Sequence, residues 1–117
     1  MNVMNKVELI GRVGKDPDVR ETKTGKKMLF FSLATNESYM NAMGDTVQNT
    51  IWHRIVLWSE VVLTCEDIVK KGHCLYIAGK LNNRNWVDKD GQKRIITEIV
   101  GQVVEQRVPG QDMGVLG

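Results

Sequence analysis

Alternation with period two runs through most of this 117-residue chain, and it commits the chain to strands. Val7, Leu9, Gly11 and Val13 fall on one face, and Lys6, Glu8 and Arg12 on the other. Asp16-Pro17-Asp18 then supplies turn chemistry, residues 19–22 resume as a short strand, and Thr24-Gly25 marks a second turn. Residues 27–35 contain the run MLFFSLAT, which suits a strand buried over much of its length. Residues 50–58 (TIWHRIVLW) are dense in β-branched and aromatic side chains and form a further strand. Residues 73–80 return to strand. Residues 85–88 and 93–101 flank Asp90-Gly91 as a hairpin. Residues 36–48 are polar, carry Gly44-Asp45, and read as a loop or a mobile hairpin tip.

One segment breaks the alternation. Val61, Cys65, Ile68 and Val69 lie at helical spacing behind Ser59, an N-cap residue, and Glu60, which suits the first turn. Lys70 and Lys71 suit a last turn, and Gly72 a left-handed cap. Periodicity alone supports a small β-rich domain with one helix. The element order goes further, to an all-β OB-fold: a five-stranded Greek-key barrel with one short helix between strands three and four. The fourth and fifth strands would form an extended hairpin. The barrel domain is expected over residues 1–107, with a flexible C-terminal segment over 108–117.

Charge narrows function only through its distribution. Sixteen basic and fourteen acidic side chains leave +2, which many neutral surfaces share. Residues 12–27 carry six bases against three acids, and residues 80–94 five against two. Cys65 and Cys74 form no C-x-x-C pair, so neither a disulfide framework nor a zinc site is indicated. No cofactor or metal is expected. No apolar run reaches the roughly 18 residues of a membrane helix. There is no P-loop, G-x-S-x-G or H-E-x-x-H, and no recognisable acid–base pair, so no enzyme is expected.

The aromatic residues are few and well placed. Phe30, Phe31 and Tyr76 sit inside apolar runs and read as core. Trp52 and Trp58 share one strand face, opposite Ile51, Ile55 and Leu57. For those two tryptophans the residues leave core and ligand both open. Trp86 lies among Arg84, Asn85 and Asp88, with Lys93 and Arg94 across the hairpin, and reads as a surface platform. Tyr39 falls in the polar segment, where no core is expected. Aromatic rings beside cations suit single-stranded nucleic acid, because every base offers a π-face and every nucleotide a phosphate.

Four stretches, in order, resemble the bacterial-type single-stranded DNA-binding proteins and their mitochondrial relatives: NKVELIGRVGKDPDVR, FSLAT, TIWHRIVLW and LYIAGKLNNRNW. The resemblance runs from about Asn5 to about Glu105. It implies sequence-nonspecific binding and protection of single-stranded DNA in replication, recombination and repair. It implies stacking by Tyr39, Trp52, Trp58 and Trp86, and backbone contacts by Arg54, Lys70, Lys71 and Arg84. Lys93 joins them as a cation of the hairpin. His53 falls where the family places a subunit contact, and a homotetramer is implied. The implied location is the bacterial cytoplasm at the nucleoid, with the mitochondrial matrix as the alternative. The chain departs from the family pattern at Asn82 and Asn85, where bases are common, and at Tyr39, where Trp is common. The acidic recruiting tail of bacterial members has no counterpart before Gly117, so replication and repair proteins stay open as partners without recruitment through it, and whether a tail was removed or never existed stays open too. The alternatives are an OB-fold that binds RNA or structured nucleic acid, and a tail-less specialised paralogue.

Overall fold

The computed structural model describes residues 2–108 of the chain. The expected flexible segment therefore lies, apart from Val108, outside the described residues. The elements are β1 (Val7–Val13), β2 (Asp18–Glu21), β3 (Lys27–Met40), β4 (Thr46–Trp58), α1 (Ser59–Cys65), β5 (Cys74–Val87) and β6 (Lys93–Gln106). The sheet order is β1-β5-β6-β4-β3-β2, and an additional β1–β3 pairing closes a five-stranded barrel from which β2 is excluded. All pairings are antiparallel except β4 with β6. The expected OB-fold is the observed fold, with the helix between the third and fourth barrel strands.

The barrel follows from the alternation. Leu29, Phe31, Leu33, Ile55, Leu57, Leu75, Ile77 and Ile99 are buried in one core cluster, and every one has an odd number. Partners in register share a face, and Met28 pairs with Trp58, Phe30 with Val56, and Val56 with Val100, so even-numbered side chains point outward. A slip of one residue would turn the whole set inside out. Two glycines permit the close approach that closure needs. A Cβ on Gly11 would lie 2.2 Å from the Ala34 carbonyl oxygen, and one on Gly79 2.1 Å from that of Val100. Gly79 also adjoins the register shift at Ala78/Gly79 between β5 and β6, which places an extra residue on β6 and bends the pair. Helix α1 packs against β3, β4 and β6 and buries Val62 and Cys65.

Three local expectations are corrected. Of the two readings of residues 36–48, the hairpin tip holds and the loop does not: β3 and β4 pair without interruption from Met28↔Trp58 to Met40↔Thr46 and leave only residues 41–45 as the turn. Beyond the barrel this ribbon has solvent on both faces, so it keeps its ladder while losing the apolar alternation that marks a half-buried strand. Ser59 is the first helical residue rather than the cap, because β4 runs straight into the helix and Trp58 holds the cap position in extended conformation. The helix also ends at Cys65, so Lys70 and Lys71 stand in the following turn. Val69 still reaches the core, since its N–H bonds back to the Cys65 carbonyl at 3.3 Å and the turn folds the apolar stripe inward. Gly72 does adopt the left-handed conformation, with φ of +83°, but it leads into β5 rather than capping the helix.

Candidate nucleic-acid interface

The outward face of β2, β3, β4, β6 and the distal half of β5 is continuous, and all its side chains have even numbers. It carries Asp18 and Arg20, then Phe30 and Ser32, then Trp52, Arg54 and Trp58. It continues through Glu98, Ile96 and Arg94 on β6 to Lys80, Arg84 and Trp86 on β5. The three tryptophans are 60%, 44% and 43% exposed in chain order, values that a core ring would not show. Trp52 is settled as a surface ring by its bed. Its indole lies against Gly14, where a Cβ would come within 2.5 Å of Cζ3. Among the described residues, five cations on this face (Arg20, Arg54, Lys80, Arg84, Arg94) oppose three acids (Asp18, Glu98 and Asp88, which pairs with Arg94), so the face is net positive.

Two adjoining depressions occupy its middle. One of about 420 Å³ is lined by Gly14, Lys15, Asp16, Asp18, Phe30, Phe31, Ser32 and Trp52. The other, about 250 Å³, is lined by Asp18, Arg20, Phe30, Phe31, Ser32, Arg54 and Arg84. Phe30 borders both. The guanidinium of Arg20 sits 4.9 Å from its ring centroid and that of Arg84 6.0 Å from it. Arg84 is tethered from below: its Nε lies 3.4 Å from Oε1 of Glu98, which is only 4% exposed. The other carboxylate oxygen of Glu98, Oε2, is buried without a hydrogen-bond partner.

The distal hairpin is set by its turn. Asp88 Oδ1 accepts the N–H groups of Asp90 and Gln92, and Oδ2 accepts Arg94 Nε at 2.9 Å. The Gln92 N–H, reinforced by Arg94 and Asp90, holds the Asp88 carboxyl below the usual carboxylate range. Gly91 supplies the positive φ of the turn, +77°. Trp86 then pairs with Arg94 across the hairpin, a ring beside a cation.

The structure brings Trp52, Arg54, Trp58, Arg84 and Trp86 onto one face. It does not bring the remaining sequence-derived candidates there. Tyr39, 56% exposed, pairs with Val47, and alternation puts both on the opposite side of the β3–β4 ribbon from Trp52. Lys93 is on the far side of the distal hairpin from Trp86, by the same alternation. Lys70 borders a hollow with Leu63, Thr64, Glu66 and Asp67 on the helix side. Lys71 is nearer the groove, because its backbone N–H donates to Asp16 Oδ1 at 2.9 Å. His53 pairs with Leu33 on the inward side at the barrel mouth, half-buried, with Nε2 2.9 Å from Thr35 Oγ1.

Phe30, Arg20 and Glu98 were not candidates in the sequence. Phe30 sits in an unbroken apolar run and reads as core, yet only Phe31 of the pair is inside. The signal was present: alternation from buried Leu29, Phe31 and Leu33 puts Phe30 outside.

The family model for the "Single-strand binding protein family" matches residues 4–106. A "Single-stranded DNA-binding protein 1" of Chlorobaculum tepidum is 45% identical over 98 residues, covering 83% of this chain and 60% of that protein. A "Single-stranded DNA-binding protein" of Rickettsia felis is 46% identical over 101 residues, covering 85% and 66% respectively. The chain thus spans about two-thirds or less of the length of these two relatives. Among solved structures, the Plasmodium falciparum SSB complex with ssDNA superposes with a TM-score of 0.81 at 34% identity, covering 92% of this chain and 98% of that one. A deletion mutant of the single-stranded DNA binding protein from Thermus aquaticus gives a TM-score of 0.78 at 27% identity, over 93% of this chain and 52% of that one.

Proposed function

The chain belongs to the single-strand binding protein family, and on that premise we propose that it coats single-stranded DNA by binding alone, without catalysis. The observation that carries the reading is the even-numbered face: three exposed tryptophans and five cations on one continuous surface. Stacking on a ring tolerates any base, and phosphate contact tolerates any sequence, so the face suits coating rather than readout. The service is protection of strands exposed in replication, recombination and repair. A titration with oligo(dT), read by tryptophan emission at several salt concentrations, tests it. Emission should be quenched to saturation. Log affinity should fall with log salt at about −0.7 per neutralised phosphate, so at about −2 or steeper if three or more of the five cations engage. A slope flatter than about −0.7 contradicts phosphate tracking, and tighter binding of oligo(rU) in competition moves the assignment to RNA.

The chain is also proposed to assemble as a homotetramer with His53 at a subunit contact. Tyr39 and Ile51 lie exposed on the same side of the ribbon as His53, an apolar strip that extends beyond the barrel. A second strip lies on the outside of β1 and β5. There Ile10 pairs with Tyr76, which alternation from buried Leu75 and Ile77 turns outward rather than into the core as its apolar run suggests, and the Tyr76 hydroxyl donates to Glu8 at 2.6 Å. That hydrogen bond, with Lys6 nearby, holds the Glu8 carboxyl low and raises the Tyr76 phenol. Closed assemblies with two-fold axes are the expected symmetry. Light scattering at micromolar concentration should give four times the chain mass, and a monomer would refute the assembly.

A further inference from the structure

Strand β2 buries nothing: all four of its residues are exposed, and among the described residues it pairs only with β3. Its contribution is therefore not to the core. What it does is carry Asp18 and Arg20 to the edge of the groove. Arg20 lies over the Phe30 ring at 4.9 Å, on a short edge strand with solvent around it. The second cation near that ring is held differently. Arg84, 6.0 Å from the centroid, is tied to a carboxylate that is almost wholly buried. Releasing Arg84 would leave that charge uncompensated, so Arg84 stays, whereas Arg20 is free to move. Val56, the register partner of Phe30 on β4, is buried although it faces outward and lies outside the core cluster, so the ring has an apolar neighbour on the sheet.

We propose that Phe30 is a base-stacking platform separate from the tryptophans, occupied in the free protein by Arg20. One nucleotide of single-stranded DNA places its base on the ring. The displaced Arg20 and the anchored Arg84 take its phosphates. The exchange is favourable because a base stack outweighs an exposed cation–π pair and Arg20 gains the phosphate as an anionic partner. Asp18, beside Arg20 in the same groove, offers no competing stack. The inference rests on the single-stranded DNA reading above.

The test uses the full chain with oligo(dT). Ultraviolet cross-linking of the complex, mapped by mass spectrometry, should give a thymine adduct on Phe30 as well as on the tryptophans. Phe30→Leu keeps the apolar cover and should weaken binding roughly tenfold with an unchanged salt slope, because a stack and not a charge is lost. Arg20→Gln should flatten the slope by about 0.7, one phosphate contact. The adduct map on the unmodified protein decides the matter even where a variant folds poorly. Adducts on the tryptophans with none on Phe30 overturn the platform and leave the function standing. No binding of oligo(dT) at all overturns both.

Discussion

Replacing Trp52 and Trp86 together by alanine is expected to weaken oligo(dT) binding by about 30-fold to 10⁴-fold, and to leave the stability of the fold nearly intact. Each base stack contributes roughly 1–3 kcal/mol, and 1.4 kcal/mol is about tenfold. The two rings stand on different hairpins, β3–β4 and β5–β6, so their losses should add. Folding should hardly notice, because both rings are about half exposed or more, and removing an exposed ring leaves no cavity. Trp52 carries one further structural consequence, since its ring rests on Gly14 and removal uncovers that backbone. The measurement is a DNA titration beside a chemical denaturation of the same preparation. A double variant that binds within threefold of the parent protein would place the bases elsewhere.

The barrel was legible in the sequence wherever one face of a strand is buried. Val7 to Val13, Leu29 to Leu33 and Leu75 to Ile77 alternate because the core demands it, and turn residues at Asp16-Pro17 and Asp90-Gly91 break the runs. Legibility ended where that demand ends. Between Asn36 and Gln48 the ribbon stands clear of the core, so its side chains answer to solvent on both sides and look like a loop. The apolar spacing locates the helix and overstates its length. Ile68 and Val69 keep the apolar stripe going, but they reach the core through a turn, and spacing alone cannot tell the two apart.

The site was legible in part. Trp52, Trp58, Trp86, Arg54 and Arg84 were named from their neighbours or from the family resemblance, and the face unites them. The polarity around Tyr39 suggests a loop, where alternation has no meaning; as a strand residue it turns the other way. The apolar run around Phe30 points it inside, while its even number points it outward, as the fold has it. Glu98 gave no sign of burial, because a single carboxylate in TEIV looks like an exposed strand residue. Only the fold shows that Arg84 lies over it.

The division of the chain into an odd-numbered core and an even-numbered binding face is the central claim, and two neighbouring residues test it. Leu57 is fully buried in the core cluster, while Trp58 is 44% exposed on the outer face. Leu57→Ala should cost about 2–5 kcal/mol of stability, the usual range for a core leucine. Its DNA affinity, measured where the variant remains folded, should stay near that of the parent. Trp58→Ala should do the reverse. It should lose roughly 1–3 kcal/mol of binding while its denaturation midpoint barely moves, since Trp58 caps α1 through backbone and makes no side-chain cap bond. The decisive measurement is therefore denaturation and oligo(dT) titration of both variants side by side. The expected result is a crossed pattern, stability lost in one and affinity in the other. If Trp58→Ala unfolds the protein, or if Leu57→Ala abolishes binding in its folded form, the face is not the binding surface described.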